Sequence, residues 1–164
     1  MKFLNEEVAK QLEGIFNGMK DDVTVALFTR AQDCETCEDT KDFLTELTSA
    51  APRLSLEILD LDKDSDKAEE FGVTMAPSLV LLDKDKTYQR IKFNGVPSGH
   101  EINSFISSVM EVSGNAQELP KEIMERIEKI QKPVNIKVFV TLACPHCPGA
   151  VEKAHKLALE NPNI

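Results

Sequence analysis

The order of apolar runs predicts an α/β protein: a mixed four-stranded sheet with flanking helices, followed by the first βα unit of a second copy. Three observations carry that expectation. Short β-branched runs alternate with segments of helical periodicity. Two late runs are joined by a polar tetrapeptide that reads as a hairpin turn. A strand-like run ending in a Cys-x-x-Cys pair occurs twice, about 110 residues apart.

Phe3, Leu4, Val8, Leu12, Ile15, Phe16 and Met19 recur at helical spacing, with Asn5 as a cap before Glu6 and Glu7, so residues 4–18 read as an amphipathic helix. Val23 to Thr29 is uninterrupted enough to suit a strand buried on both faces. A helix begins near Thr36, shows Phe43, Leu44 and Leu47 on one face, and yields at Ala50-Ala51-Pro52. Leu54 to Leu61 alternates as a second strand, and Ser65 to Phe71 is a short helix closed by Gly72. Ser78 to Leu82 is a third strand, Asp83-Lys84-Asp85-Lys86 a turn, and Thr87 to Phe93 the strand returning antiparallel. Ile102, Phe105, Ile106, Val109 and Met110 stripe a helix over residues 98–112. After a polar linker, Pro120 opens a helix carrying Ile123, Ile127 and Ile130 that stops before Pro133. Val134 to Thr141 then resembles Val23 to Thr29 and reads as a strand, with a helix over residues 148–160.

These signals divide the chain into a complete unit at 1–112, a linker at 113–119 and an incomplete second unit at 120–164. Charge follows the same division: residues 1–119 carry 12 Lys+Arg against 23 Asp+Glu, residues 120–164 carry 7 against 5. After Cys37 the first copy runs on for 75 residues to Val112, whereas 17 residues follow Cys147, so the chain reads as truncated. A strand and a helix bury too little alone; residues 134–164 are expected to dock on the first unit, pair with another molecule or fray. Apolar surface left on an unfinished copy would favour a homodimer.

The 164 residues are 41% hydrophobic and 29% charged, with a net charge of −9. That composition suits a folded chain and repels phosphate backbones and anionic membranes, so neither nucleic acid nor membrane is an expected partner. The first residues, Met1-Lys2-Phe3-Leu4-Asn5-Glu6-Glu7, lack the apolar core of a signal peptide, which places the protein in the cytoplasm. In that reducing compartment cysteines serve catalysis or metal binding more often than structural stapling.

Cys34-Glu35-Thr36-Cys37 and Cys144-Pro145-His146-Cys147 each stand where a strand hands over to a helix. The positive end of the helix dipole lowers a thiol pKa there. A thiolate attacks a substrate disulfide, and a second thiol three residues on releases the mixed disulfide by closing an internal bridge. Cys34 and Cys144 are the candidate nucleophiles, Cys37 and Cys147 the resolving thiols; the exchange needs no cofactor. Asp33, Glu35, Glu38 and Asp39 crowd negative charge around the first pair, whereas His146 gives the second cationic company. Cys144 should therefore be the more acidic thiol and its disulfide the more oxidising.

Two other readings use the same residues. Four thiolates satisfy tetrahedral zinc, although residues 38–143 between the pairs far exceed the usual ribbon spacing, and no metal is expected. A noncatalytic binding or chaperone module would use the groove around Pro77 to hold partners. His100 and His155 read as structural or solvated groups, and Asp60, Asp62, Asp64 and Asp66 as a solvated turn lacking the glycine and glutamate of a calcium loop.

The order β-α-β-α-β-β-α, with a cysteine pair after the first strand and Ala76-Pro77 before the third, resembles the thioredoxin fold. Val138-Phe139-Val140-Thr141 leading into Cys144-Pro145-His146-Cys147-Pro148, and Gly95-Val96-Pro97-Ser98-Gly99-His100-Glu101 after the fourth strand, resemble the tandem protein disulfide oxidoreductases, or glutaredoxin-like proteins, of archaea and thermophilic bacteria. The reductase partner of alkyl hydroperoxide reductase begins with related folds. The resemblance implies two thioredoxin-like domains, dithiol-disulfide exchange on protein substrates, and a thioredoxin-reductase-like electron donor. It also implies a cis Ala76-Pro77 peptide beside Cys34 that presents backbone groups to substrate. The chain departs from thioredoxins in having no Trp before the pair and no aspartate on the preceding strand, so no proton acceptor is named. Met75-Ala76-Pro77 stands where glutathione-binding relatives have Thr-Val-Pro, and a glutathione site is not expected.

Overall fold

The computed structural model describes residues 3–164; Met1 and Lys2, which the expected first unit includes, lie outside the described residues. Ten elements follow in order: α1 (Glu6–Phe16), β1 (Val23–Thr29), α2 (Cys37–Ser49), β2 (Leu54–Asp60), α3 (Ser65–Glu70), β3 (Ser78–Leu82), β4 (Tyr88–Asn94), α4 (Glu101–Val112), α5 (Lys121–Ile127) and α6 (Cys147–Glu160). The four strands form one sheet in the order β2-β1-β3-β4. β1 runs parallel to β2, with Val23 opposite Leu54, and antiparallel to β3, with Phe28 opposite Ser78; β3 and β4 form the expected antiparallel pair.

Alternation along β1 explains why it lies at the centre. Val23, Val25 and Leu27 face α1, α2 and α4, packing with Leu12, Phe16, Leu44, Leu47, Phe105 and Val109. Ala26 and Phe28 face the opposite layer, where Ala68 of α3, Phe71 and Val73 cover them. Both faces are therefore sealed, as the unbroken apolar run requires. Asn5 caps α1 through its side chain, which accepts from the Val8 N–H at 2.8 Å.

Three expectations need correction. α4 begins at Glu101 and not at residue 98, because Gly99 takes a left-handed φ of 59° and the helix cannot start before it. α5 ends at Ile127, short of Pro133. Residues 134–141 form no strand, although their composition matches β1. A strand needs a neighbour for its backbone ladder, and the four strands of the sheet offer it none. The segment stays open to solvent, with Phe139 90% exposed.

What holds the later residues is α6, which packs across α4 and β4. Docking on the first unit is thus the outcome found among the three anticipated. His155 Nδ1 lies 2.7 Å from Ser108 Oγ, and its ring meets the edge of Phe93 at 4.8 Å. Lys156 Nζ lies 3.6 Å from a Glu111 oxygen and 3.3 Å from a Glu160 oxygen. Arg90 donates to the carbonyls of Ala158 at 2.5 Å and Ile164 at 3.3 Å, tying β4 to the end of α6. Asn161 donates to the Ile127 and Ile130 carbonyls at 2.7 and 3.1 Å, joining α6 to the end of α5. Among the described residues no helix is long and apolar enough to cross a membrane.

Burial lowers the pKa of His155 from 6.5 to about 4. The unfolded chain therefore binds a proton between those values that the folded chain does not, and stability falls as pH drops from about 6.5 toward 4. The shift corresponds to a loss on the order of 2–3 kcal/mol at the acid end. His155→Gln should flatten this limb of a thermal-melting profile recorded across pH; an unchanged limb refutes the account.

Core packing predicts a second outcome. Phe105 is fully buried between α4 and the sheet. Phe105→Ala should cost about 3–5 kcal/mol in denaturant unfolding, because the cavity would open where α4 presses on β1 and β3.

Candidate active site

The antiparallel pairing of β1 and β3 brings the end of one strand to the start of the other: Phe28 lies opposite Ser78, one residue after Pro77. The loop that carries the first cysteine pair leaves from that same edge. Asp33 has a φ of 57°, in the left-handed region that aspartate tolerates better than most side chains, and turns the chain toward α2. Thr36 occupies the cap position and Cys37 is the first residue of α2. Cys34 is partly exposed whereas Cys37 is buried, an arrangement that leaves one sulfur accessible and shelters the other.

Cys34 and Cys37 are joined by a disulfide, with S–S 1.93 Å and Cα–Cα 5.5 Å. Cys144 and Cys147 form a second, with S–S 2.24 Å and the same Cα–Cα distance of 5.5 Å. Each pair is thus within the bridging reach that the spacing implies. The second pair differs in its setting. Both of its sulfurs belong to partly exposed residues, and it is preceded by an exposed irregular segment, not by a strand. His146 is the cap of α6 and Pro148 sits in its first turn, where a missing N–H costs nothing.

The Ala76–Pro77 peptide is cis, as the resemblance implied. Pro77 is buried and its carbonyl accepts from the Gly95 N–H at 2.8 Å, which ties it to the end of β4. Ser78 Oγ donates to the Met75 carbonyl at 2.8 Å and pairs with Asn94 Oδ1 at 2.9 Å, pinning the other side of the turn. Among the described residues none hydrogen-bonds the Ala76 backbone, and the neighbouring Met75 side chain is 51% exposed. Polar backbone and an apolar surface thus lie together at the sheet edge from which Cys34 is presented.

The remaining candidates fall into place as structural groups. His100 is exposed at the cap of α4, and His155 is the half-buried partner of Ser108. Asp60 Oδ1 accepts from the Asp62 and Lys63 N–H groups at 3.0 and 3.2 Å, Asp64 Oδ2 accepts from the Asp60 N–H at 2.7 Å, and Asp62 takes a two-point contact from Arg30. That acidic stretch builds its own turn. No group of three or more His, Cys, Asp or Glu able to hold a metal occurs among the described residues.

Two features escaped the sequence. Glu101 is buried, accepts from Ser104 Oγ at 2.8 Å through Oε2, and has no hydrogen-bond partner on Oε1 among the described residues. A single-sequence signal was present in its place within the Gly99-His100-Glu101 stretch, but an acidic residue in a helix's first turn ordinarily faces water. The second feature is the contact of Gly99 and His100 with Leu142, invisible without the docking of α6.

A sheet ordered β2-β1-β3-β4, two Cys-x-x-Cys disulfides and a cis-proline on the edge that presents the first pair define a thioredoxin-fold oxidoreductase. The thioredoxin family model matches residues 6–108, and the chain belongs to that family. The chain is 29% identical over 161 residues to AhpF, the alkyl hydroperoxide reductase flank of Staphylococcus aureus, covering 98% of this chain and 29% of that protein. It therefore spans less than a third of the curated relatives it matches. The NTD_N/C domain of the alkyl hydroperoxide reductase AhpF of Enterococcus faecalis superposes with a TM-score of 0.88 at 34% identity, over 98% of this chain and 77% of that one. A protein disulfide oxidoreductase of Aeropyrum pernix superposes with a TM-score of 0.86 at 28% identity, over 95% and 68%. These relatives and the two cysteine pairs are consistent with thiol-disulfide exchange.

The charge around the pairs generates a test. Asp33, Glu35, Glu38 and Asp39 are all exposed about Cys34, where they oppose a thiolate; His146 caps the helix behind Cys144. Alkylation of the fully reduced chain, followed residue by residue across pH, should titrate Cys144 below Cys34. The reverse order refutes the electrostatic argument.

Proposed function

We propose that the chain exchanges dithiols and disulfides with protein substrates, with Cys34 and Cys144 as nucleophiles and Cys37 and Cys147 as resolving thiols. In the reducing direction the Cys34 thiolate attacks one sulfur of a substrate disulfide, forming a mixed disulfide and expelling one substrate thiolate. Cys37 then attacks Cys34 Sγ, closes the internal bridge and releases the second substrate thiol. The substrate gains two electrons and two protons, and the chain is left in its bridged form. An external dithiol donor restores it; a thioredoxin-reductase-like protein has the chemistry required.

Ala76 and Pro77 take the substrate-binding role in this reading. An extended peptide beside the cystine can pair with the unengaged Ala76 backbone while its side chains rest near Met75, a strand-addition mode of recognition. The observation that carries the proposal is the accessible sulfur of Cys34 held 5.5 Å, Cα to Cα, from a sheltered second cysteine at the start of a helix. We assign residues 1–112 as the complete thioredoxin-like unit, 113–119 as linker and 120–164 as part of a second, acting in the cytoplasm. The similarity to alkyl hydroperoxide reductase supports a redox protein as partner, either upstream as reductase or downstream as peroxidase.

Reduction of insulin by dithiothreitol tests the proposal. The native chain should accelerate precipitation of the freed insulin chains, and Cys34→Ser combined with Cys144→Ser should return the rate to background. Each single variant divides the activity between the two pairs. Activity untouched by the double substitution overturns the catalytic reading in favour of a noncatalytic binding module.

A further inference from the structure

The second cysteine pair has no strand of its own to stand on, yet its loop is held in place. The carbonyl of Leu142, two residues before Cys144, accepts from the backbone N–H of His100 at 3.1 Å. The Cys144 N–H in turn donates to the Thr141 carbonyl at 3.0 Å, closing the turn that delivers the cysteine. Downstream, Cys147 opens α6, which rests on α4 and β4. The pair is thus suspended between two attachments, and both belong to the first unit.

The upstream attachment depends on one residue lacking a side chain. A Cβ placed on Gly99 would lie 2.6 Å from the Leu142 carbonyl oxygen, 3.2 Å from its Cβ and 3.3 Å from its carbonyl carbon. The first distance is closer than real Cβ atoms approach, and the obstructing atom is backbone, so the Thr141–Cys144 turn would have to move. Gly99 also has a φ of 59°. Gly72 has nearly the same backbone, with a φ of 60°, but a Cβ there would meet only the tip of Lys92, at 3.4 Å. The two glycines share a conformation and differ in what stands over them.

We infer that Gly99 is a positioning residue for the second redox centre: its bare α-carbon lets the start of α4 seat the Leu142 carbonyl and thereby holds Cys144 at the N-terminus of α6. This rests on the reading of Cys144 as a nucleophile. The first pair is built on β1 and α2 and receives no such support from residues 98–101. Displacing Leu142 moves Cys144 away from the helix end that favours its thiolate, while Cys34 stays as it was.

The test follows alkylation of the reduced chain against pH, with Cys34 and Cys144 quantified separately by mass spectrometry. Gly99→Ala should raise the Cys144 midpoint by about one pH unit, a tenfold loss of thiolate at fixed pH, and leave Cys34 unmoved. Gly99→Asn should behave like Gly99→Ala, because asparagine eases the left-handed backbone and still carries a Cβ. Gly72→Ala should leave Cys144 unchanged. The inference is overturned by a Cys144 midpoint that does not move in either Gly99 variant, by rescue in Gly99→Asn, or by equal shifts at Cys34 and Cys144. Should the variants not fold, amide exchange on the native chain decides: a protected His100 N–H supports the seat, and an unprotected one removes it. None of these readouts requires a substrate, so a chain inert toward insulin would defeat the exchange reading and leave the positioning result standing.

Discussion

A buried strand must find ladder partners, and that demand organises this molecule. β1 has lost water on both faces, so its N–H and C=O groups can be satisfied only by neighbouring strands. It obtains β2 on one side, running parallel, and β3 on the other, running antiparallel. The parallel partner requires a crossover, which α2 supplies, and α2 is what places Cys37 on a helix N-terminus. The antiparallel partner returns the chain to the edge where β1 ends, and so brings Ala76 and Pro77 to the end of the sheet that bears Cys34. Redox chemistry at the first pair is in this sense a by-product of strand pairing.

The same demand explains the contrast between the two cysteine pairs. Residues 134–141 have the composition of β1 but no partner strands, and they lie exposed and irregular. The second pair still forms its bridge because helix packing substitutes for the missing sheet. The substitute is polar as well as apolar: the His155–Ser108 contact, Lys156 set between Glu111 and Glu160, and Arg90 on the last carbonyls of α6. Burial holds the Glu111 carboxyl above its usual range despite the nearby Lys156 ammonium, a sign that this attachment is partly dehydrated. Interactions of that kind hold a helix in one orientation through direction and charge where a sheet would do so through register.

Electrostatics separate the centres further. The first is ringed by exposed carboxylates, the second by a histidine and a proline at the head of α6. One chain can therefore carry two disulfides of different poise without any change in their spacing, because thiolate stability is set by the surroundings and not by the Cys-x-x-Cys geometry itself. The relatives in Enterococcus faecalis and Aeropyrum pernix superpose over nearly the whole of this chain, so the arrangement of sheet and docked helix is a property of the fold and not of one sequence.

Much of the architecture could be read before any coordinates. Apolar spacing located all four strands of the sheet to within a residue or so, the Asn5 cap, the α2 and α6 helices, and both cysteine pairs, since these depend on short-range periodicity and on residues within one helical turn of each other. The Ala76–Pro77 turn was legible only through resemblance. Tertiary structure alone decided the fate of residues 134–141, the late start of α4 behind Gly99, the burial of Glu101 and the seat of Leu142 on His100. Each of these turns on what a distant segment does or fails to provide. Composition can make a segment fit to be a strand, but hydrogen-bond partners arriving from elsewhere in the chain determine whether it becomes one.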